Sequence, residues 1–102
     1  MGWATNHIAQ LRNGKTVQFR PRGNSMTGRI DDGDLVTVAP VTEATELKTG
    51  DAVLCKVNGN EYLHLIKAVG QDGRFQIGNN KGRINGWTTR ANVFGLCISV
   101  EK

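Results

Sequence analysis

Ser25 lies between Gly23–Asn24 and Met26, in a stretch from Arg20 to Val38 that reads RPRGNSMTGRIDDGDLVTV. Small and turn-forming residues ahead of a serine let a backbone approach closely and leave the hydroxyl exposed. A hydroxyl is a poor nucleophile until a base takes its proton. The chain has two histidines, His7 and His64. His7 falls in a short N-terminal helical segment and reads as structural. His64 falls in the strand-like run Tyr62-Leu63-His64-Leu65-Ile66-Lys67. Side chains alternate along a strand, so His64 shares a face with Tyr62 and Ile66, and Lys67 one with Leu63 and Leu65, unless a bulge intervenes. Only one of the two then points at Ser25. Imidazole titrates near neutrality and serves as a base without help, whereas a lysine needs strong desolvation to lose its proton. His64 is therefore the expected general base and Lys67 the alternative. The backbone N–H of Ser25 and of a neighbour, Asn24 or Met26, would hold an oxyanion.

The serine box continues into Gly33-Asp34-Leu35-Val36, a pattern of G-x-S-M, a few residues, G-D and an apolar strand. This resembles the nucleophile box of the LexA-like superfamily, the serine peptidases that include bacterial signal peptidases and the SOS and phage repressors. In that superfamily a hairpin and a returning strand carry the base: lysine in bacterial signal peptidases and SOS repressors, histidine in the endoplasmic-reticulum type. Leu63-His64-Leu65-Ile66 looks like the histidine form. Ile77-Gly78-Asn79-Asn80 stands where the superfamily often has a K-G-D-N-N-like segment, and Val93-Phe94-Gly95 resembles its closing strand. The likeness spans about residues 16–100. Three positions depart from it: no aspartate stands near Asn79 to orient His64, Thr27-Gly28 replaces a proline after the Ser-Met pair, and Leu65 replaces an arginine after the base. The resemblance implies a bacterial or phage protein that acts as a serine peptidase on a protein or peptide, without cofactor or metal. It equally admits a fold-sharing module without the chemistry. The chain has no Ala-Gly dipeptide, the bond that repressors of this kind cut in themselves. The expected substrate is therefore a separate protein.

The elements that must position these residues are short. Ala4, Ile8 and Leu11 fall at i, i+4, i+7, one face of a helix within residues 1–14, which Asn13-Gly14 ends. Thr16 to Arg20 alternates and reads as a strand closed by Pro21. Leu35–Val38, Ala52–Val57, Glu61–Val69, Arg74–Ile77 and Ala91–Val100 follow, with Asn58-Gly59 a hairpin signal. Val53, Cys55 and Val57 share one face, and so do Phe94, Leu96, Ile98 and Val100. Gly78 to Thr89 reads as a polar loop, and Asn79-Asn80 and Asn85-Gly86 as turn residues. Gly33-Asp34 and Gly50-Asp51 begin two similar turn-strand units, with Asp34 and Asp51 as turn-locking acids rather than a metal pair. Five or six strands with one short N-terminal helix predict a mostly-β fold, a small sheet or barrel, as a single domain over residues 1–102.

At 102 residues, 38% hydrophobic and 13 glycines, the chain suits one modest core. No apolar run approaches the ~20 residues of a membrane span, and no charged-then-apolar leader opens the chain. A cytoplasmic protein without membrane contact is expected. Cys55 and Cys97 are too few for a disulfide framework or a zinc site and read as buried free thiols. The net charge is +4, and residues 1–30 hold Arg12, Lys15, Arg20, Arg22 and Arg29 but no acid. Arg12, Lys15, Arg20 and Arg22 are the candidate binding face, expected to bind nucleic acid only weakly and in a salt-sensitive way.

Overall fold

In the computed structural model, which describes residues 2–102, the chain opens with α1 (Thr5–Arg12). Ala4, Ile8 and Leu11 bury the face expected from their spacing. Eight residues are marginal as a free helix, and the first turn is tied down from outside. Glu61 accepts the Ala4 N–H at 2.6 Å and the Thr5 hydroxyl at 2.9 Å. A carboxylate at a helix N-terminus satisfies orphan donors and complements the helix dipole.

Seven strands follow: β1 (Val17–Phe19), β2 (Leu35–Pro40), β3 (Ala52–Val57), β4 (Asn60–Val69), β5 (Phe75–Gly78), β6 (Ile84–Thr88) and β7 (Val93–Glu101). They form one antiparallel sheet in the order β1-β2-β7-β3-β4-β5-β6. The sheet rolls up at one end. Thr88 in β6 donates its hydroxyl to the Lys56 carbonyl in β3 at 2.7 Å, although the two strands are not neighbours in the ladder. The expected sheet and barrel are thus combined in one rolled sheet.

Rolling buries both faces of β3. Ala52 and Leu54 pack with α1, Val36, Val38, Leu63 and Leu65, while Val53, Cys55 and Val57 pack with Ile66, Phe75 and Ile77 inside the roll. The Asn58-Gly59 turn joins β3 to β4 as expected. The two turn-strand units are closed alike. Asp34 accepts the Asp31 N–H and Asp51 the Lys48 N–H, both at 2.9 Å and both three residues back.

Three expectations need correction. The segment expected to be polar loop from Gly78 to Thr89 contains β6, which hides from pattern reading because INGWT is a short edge strand without alternation. Ala91 and Asn92, expected to open the last strand, instead lie in a 3-10 turn, Arg90–Asn92, that no sequence signal announced. The common face of Phe94, Leu96, Ile98 and Val100 does not exist. The β7 register shifts against β3 between Leu54 and Cys55, and against β2 between Thr37 and Val38. Phe94 then packs on the α1 side, Leu96 on the other, and Ile98 and Val100 are exposed.

No helix is long and apolar enough to cross a membrane among the described residues. Both cysteines are free, Cys55 fully buried and Cys97 only half-buried. Burial pushes the Cys55 thiol up to about 12, so in native protein at pH 8 a maleimide should modify Cys97 well before Cys55. Equal rates by mass spectrometry would contradict this core. A second check falls on Gly95, where a Cβ would meet Val38 Cγ1 at 2.4 Å and Leu11 Cδ1 at 2.8 Å. Gly95→Ala should destabilise by about 1–3 kcal/mol in urea unfolding, the usual cost of overpacking.

Candidate active site

Ser25 is exposed, on the loop that connects β1 to β2. The loop is nonetheless fixed on every side. Met26, the next residue, is 5% exposed, and together with Ile30 it is part of the core beneath α1. Asp32 accepts the Gly23 N–H at 2.7 Å, Asp31 accepts the Gly28 N–H at 3.0 Å, and Arg20 donates to the Gly33 carbonyl at 2.8 Å. Lys102 reaches both Asp31 and Asp34 at 2.9 Å. From the far side, Asn80 donates its backbone N–H to the Ser25 carbonyl at 3.0 Å and its side-chain amide to the Thr27 carbonyl at 2.8 Å. Asn79, buried, braces that second loop by accepting the Lys81 and Arg83 N–H groups, both at 2.9 Å. Asn79 and Asn80 are therefore turn residues, as expected, and Asn80 also clamps the serine loop.

The carbonyls around the serine are all taken. That of Asn24 accepts from the Thr27 N–H and hydroxyl, that of Ser25 from Asn80, and that of Met26 from the Arg29 and Ile30 N–H groups. The N–H groups of Asn24, Ser25 and Met26 donate to no acceptor among the described residues. Unused backbone donors beside a nucleophile are the groups that can receive an oxyanion.

His64 lies on β4 opposite Val53 of β3 and is 8% exposed. Its Nε2 is 3.1 Å from Ser25 Oγ, and its Nδ1 is 2.7 Å from Asn85 Oδ1. An amide oxygen only accepts, so Nδ1 carries the proton. The Nε2 lone pair then faces the serine hydroxyl, which donates to it. The Tyr62 ring stacks on the imidazole at 4.9 Å between centroids. Burial pushes the imidazole below its ordinary value of 6.5, and the Asn85 hydrogen bond opposes part of that shift. The neutral, proton-accepting form prevails at pH 7.

Asn85 is the residue that sequence reasoning missed. It sits in β6 where the register slips by one: Ile77 faces Gly86 and Gly78 faces Ile84, leaving Asn85 unpaired. A bulge of this kind re-aims a side chain. Gly86 has φ 138, a backbone that other residues rarely adopt. The Asn-Gly pair was the available signal, and it announces irregular backbone without saying whether a turn or a bulge follows.

Lys67 makes no hydrogen bond with Ser25. It lies at the β4–β5 bulge, where Ile66 faces Ile77 and Ala68 faces Gln76. Gly78 has Lys67 Cγ as a near neighbour, so its stem runs along β5. The four basic residues of the expected binding face are all exposed. Arg12 lies over the Phe94 ring at 5.4 Å and Arg20 is tied to Gly33. His7 is not a bystander: it stacks on Phe19 at 4.2 Å and lines a groove of about 620 Å³ that runs up to Ser25 and His64.

A family model described as Peptidase S24-like matches residues 4–82. The match takes in α1, Ser25, His64 and Asn80 but ends before Asn85 and β6. No curated protein and no solved structure matches the chain.

The wiring of His64 fixes a pH signature that proton NMR reads directly. The His64 ring should titrate with a midpoint below 6.5, and Asn85→Asp should raise it, because a carboxylate favours the imidazolium. Since folding favours the neutral ring, its contribution to stability is present above pH 6.5 and is lost as pH falls through the folded midpoint. A midpoint at or above 6.5 in the parent protein would contradict the buried, Asn85-bonded ring.

Proposed function

We propose that this chain, which belongs to the Peptidase S24-like family, is a serine endopeptidase with Ser25 as nucleophile and His64 as general base. The observation that carries the reading is the continuous hydrogen-bonded line from Ser25 Oγ through the imidazole to Asn85, at 3.1 and 2.7 Å. That is the nucleophile, base and orienting group of acyl-transfer catalysis, with the neutral amide of Asn85 where an aspartate is more usual.

The chemistry runs as follows. His64 Nε2 takes the Ser25 proton as Oγ attacks the substrate carbonyl carbon. The resulting oxyanion is held by the free amides of Asn24, Ser25 and Met26. Collapse breaks the C–N bond, and the imidazolium gives its proton to the leaving amine. A water, deprotonated by the same imidazole, then attacks the acyl carbon; the bond from that carbon to Ser25 Oγ breaks, Oγ takes the proton back from the imidazolium, and the product leaves as its carboxylate. Asn85 keeps the proton on Nδ1 throughout. It supplies less stabilisation of the imidazolium than a carboxylate, which suits a slow, selective peptidase.

A protein substrate in extended form fits the groove. β5 begins to pair with β4 only at Leu65, so Asn60 to His64 pair with β3 alone. Ile66 exchanges its hydrogen bonds with Asp51 and Gly50 on the β3 side. By the alternation of an antiparallel ladder, Glu61 and Leu63 turn their backbone groups to the open edge. The Trp3 indole occupies the Glu61 carbonyl at 3.1 Å. The N–H and C=O of Leu63 are left for a substrate strand, the mode of recognition in which main-chain hydrogen bonds supply affinity. The setting proposed is cytoplasmic, where free thiols such as Cys55 and Cys97 persist.

A fluorophosphonate probe tests the reading. It should label Ser25 in the parent protein, and Ser25→Ala should abolish labelling. His64→Ala should slow it by roughly 10²–10⁴-fold, and Lys67→Ala should leave it nearly unchanged. In peptide hydrolysis, the double variant should be no worse than either single one, because the two residues act as a unit. No labelling of Ser25, or labelling lost with Lys67 and kept without His64, would overturn the assignment. The first outcome leaves a binding module that uses the same groove.

A further inference from the structure

The groove has a second functional end. Beyond His64 it is walled by aromatic rings that α1 and β1 bring together: Trp3 and Phe19 meet edge-on at 5.7 Å, and His7 stacks flat on Phe19. Trp3 is 54% exposed, a large apolar surface left in water at the mouth of a cavity. It is also held still, by its indole bond to Glu61 and by the Glu61 carboxylate clamped on the first turn of α1. An exposed apolar surface that is rigid and rimmed by polar groups marks a recognition site.

We propose that this aromatic end is a specificity site for one large apolar side chain of the substrate, of the Phe or Leu class. The inference rests on the reading of the groove as a peptide site, and it adds which peptides that site selects. Its position follows from β4, which carries both ends. Glu61 lies three residues before His64, roughly 10 Å along a strand. A substrate strand lying on the Leu63 edge has the same rise, so the selected side chain falls about three residues from the scissile bond. Charge narrows the class further. Arg20 and Arg22 line the same groove, and its two carboxylates are already occupied, Glu61 by the Ala4 N–H and Thr5 hydroxyl and Asp31 by the Gly28 N–H and Lys102, so a cationic side chain, which the rings alone would welcome, meets two arginines and no free acid. An apolar one meets the rings without that penalty.

The test uses Ser25→Ala protein, so that binding is read without turnover. The probes are eight fluorescein-tagged octapeptides of Ala and Ser with a single Phe walked through the eight positions, followed by polarisation. One position should bind about tenfold tighter than the others, and replacing that Phe by Lys should remove the gain. Trp3→Ser should flatten the preference and Trp3→Phe should restore most of it, with melting curves confirming that both variants are folded. No position preference, no binding by any peptide, or a preference unchanged in Trp3→Ser would overturn the proposal. Failure of the fluorophosphonate to label Ser25 in the parent protein, with the Phe preference intact, sinks the peptidase reading and leaves the aromatic site standing.

Discussion

Everything at the site depends on the burial of Met26. A nucleophilic serine has to be exposed, and an exposed loop is ordinarily the least fixed part of a small protein. Here the next residue along is driven into the core beneath α1, with Ile30 behind it. Apolar burial on the order of 2 kcal/mol per side chain holds the loop, and Asn80 locks it from the opposite side. Ser25 is thus immobilised by its neighbours while its hydroxyl stays in water. In the same loop the carbonyls of Asn24, Ser25, Met26 and Thr27 all have internal partners, whereas the N–H groups of Asn24, Ser25 and Met26 have none among the described residues.

His64 answers the complementary constraint. A base must be able to hold a proton, but it must not already hold one when the substrate arrives. Burial between Tyr62 and the β3 side keeps the ring neutral, and a neutral amide at Nδ1 orients it without adding charge. An aspartate in place of Asn85 would stabilise the charged intermediate more, but it would also draw the resting imidazole toward protonation. In the proposed mechanism, asparagine at this position exchanges some transition-state stabilisation for a base that is ready over a wider span of pH.

Much of this was legible in the residues. The helix face of Ala4, Ile8 and Leu11, the Asn58-Gly59 hairpin and the paired Gly-Asp turns are local features with local causes, and they read correctly. That Ser25 and His64 meet was legible because the serine stands among small neighbours and the histidine on the returning strand. Besides the Arg90–Asn92 turn, four things were hidden, and three of them are bulges. The slips at Ile66/Ala68, in β6, and along β7 each break the alternation on which face assignments rest. Asn85 is aimed by one of them, so no count from Ile84 or Trp87 leads to it. The fourth is the aromatic wall. Trp3, His7 and Phe19 belong to separate elements and have no common spacing, so only the docking of α1 on Glu61 reveals them as one surface.

That Glu61 and His64 share a strand has a consequence for the fidelity of the protein. A slip of β4 by one residue against β3 turns its entire set of side chains over. His64 would leave Ser25, and in the same movement the Glu61 carboxylate would leave the first turn of α1. A misregistered molecule therefore loses the Ser25–His64 contact and its aromatic wall together. For the peptidase proposed above, a copy that kept its reactivity but had lost its discrimination would be the most damaging form. The connectivity of β4 makes that form difficult to reach, because folding errors here fall silent.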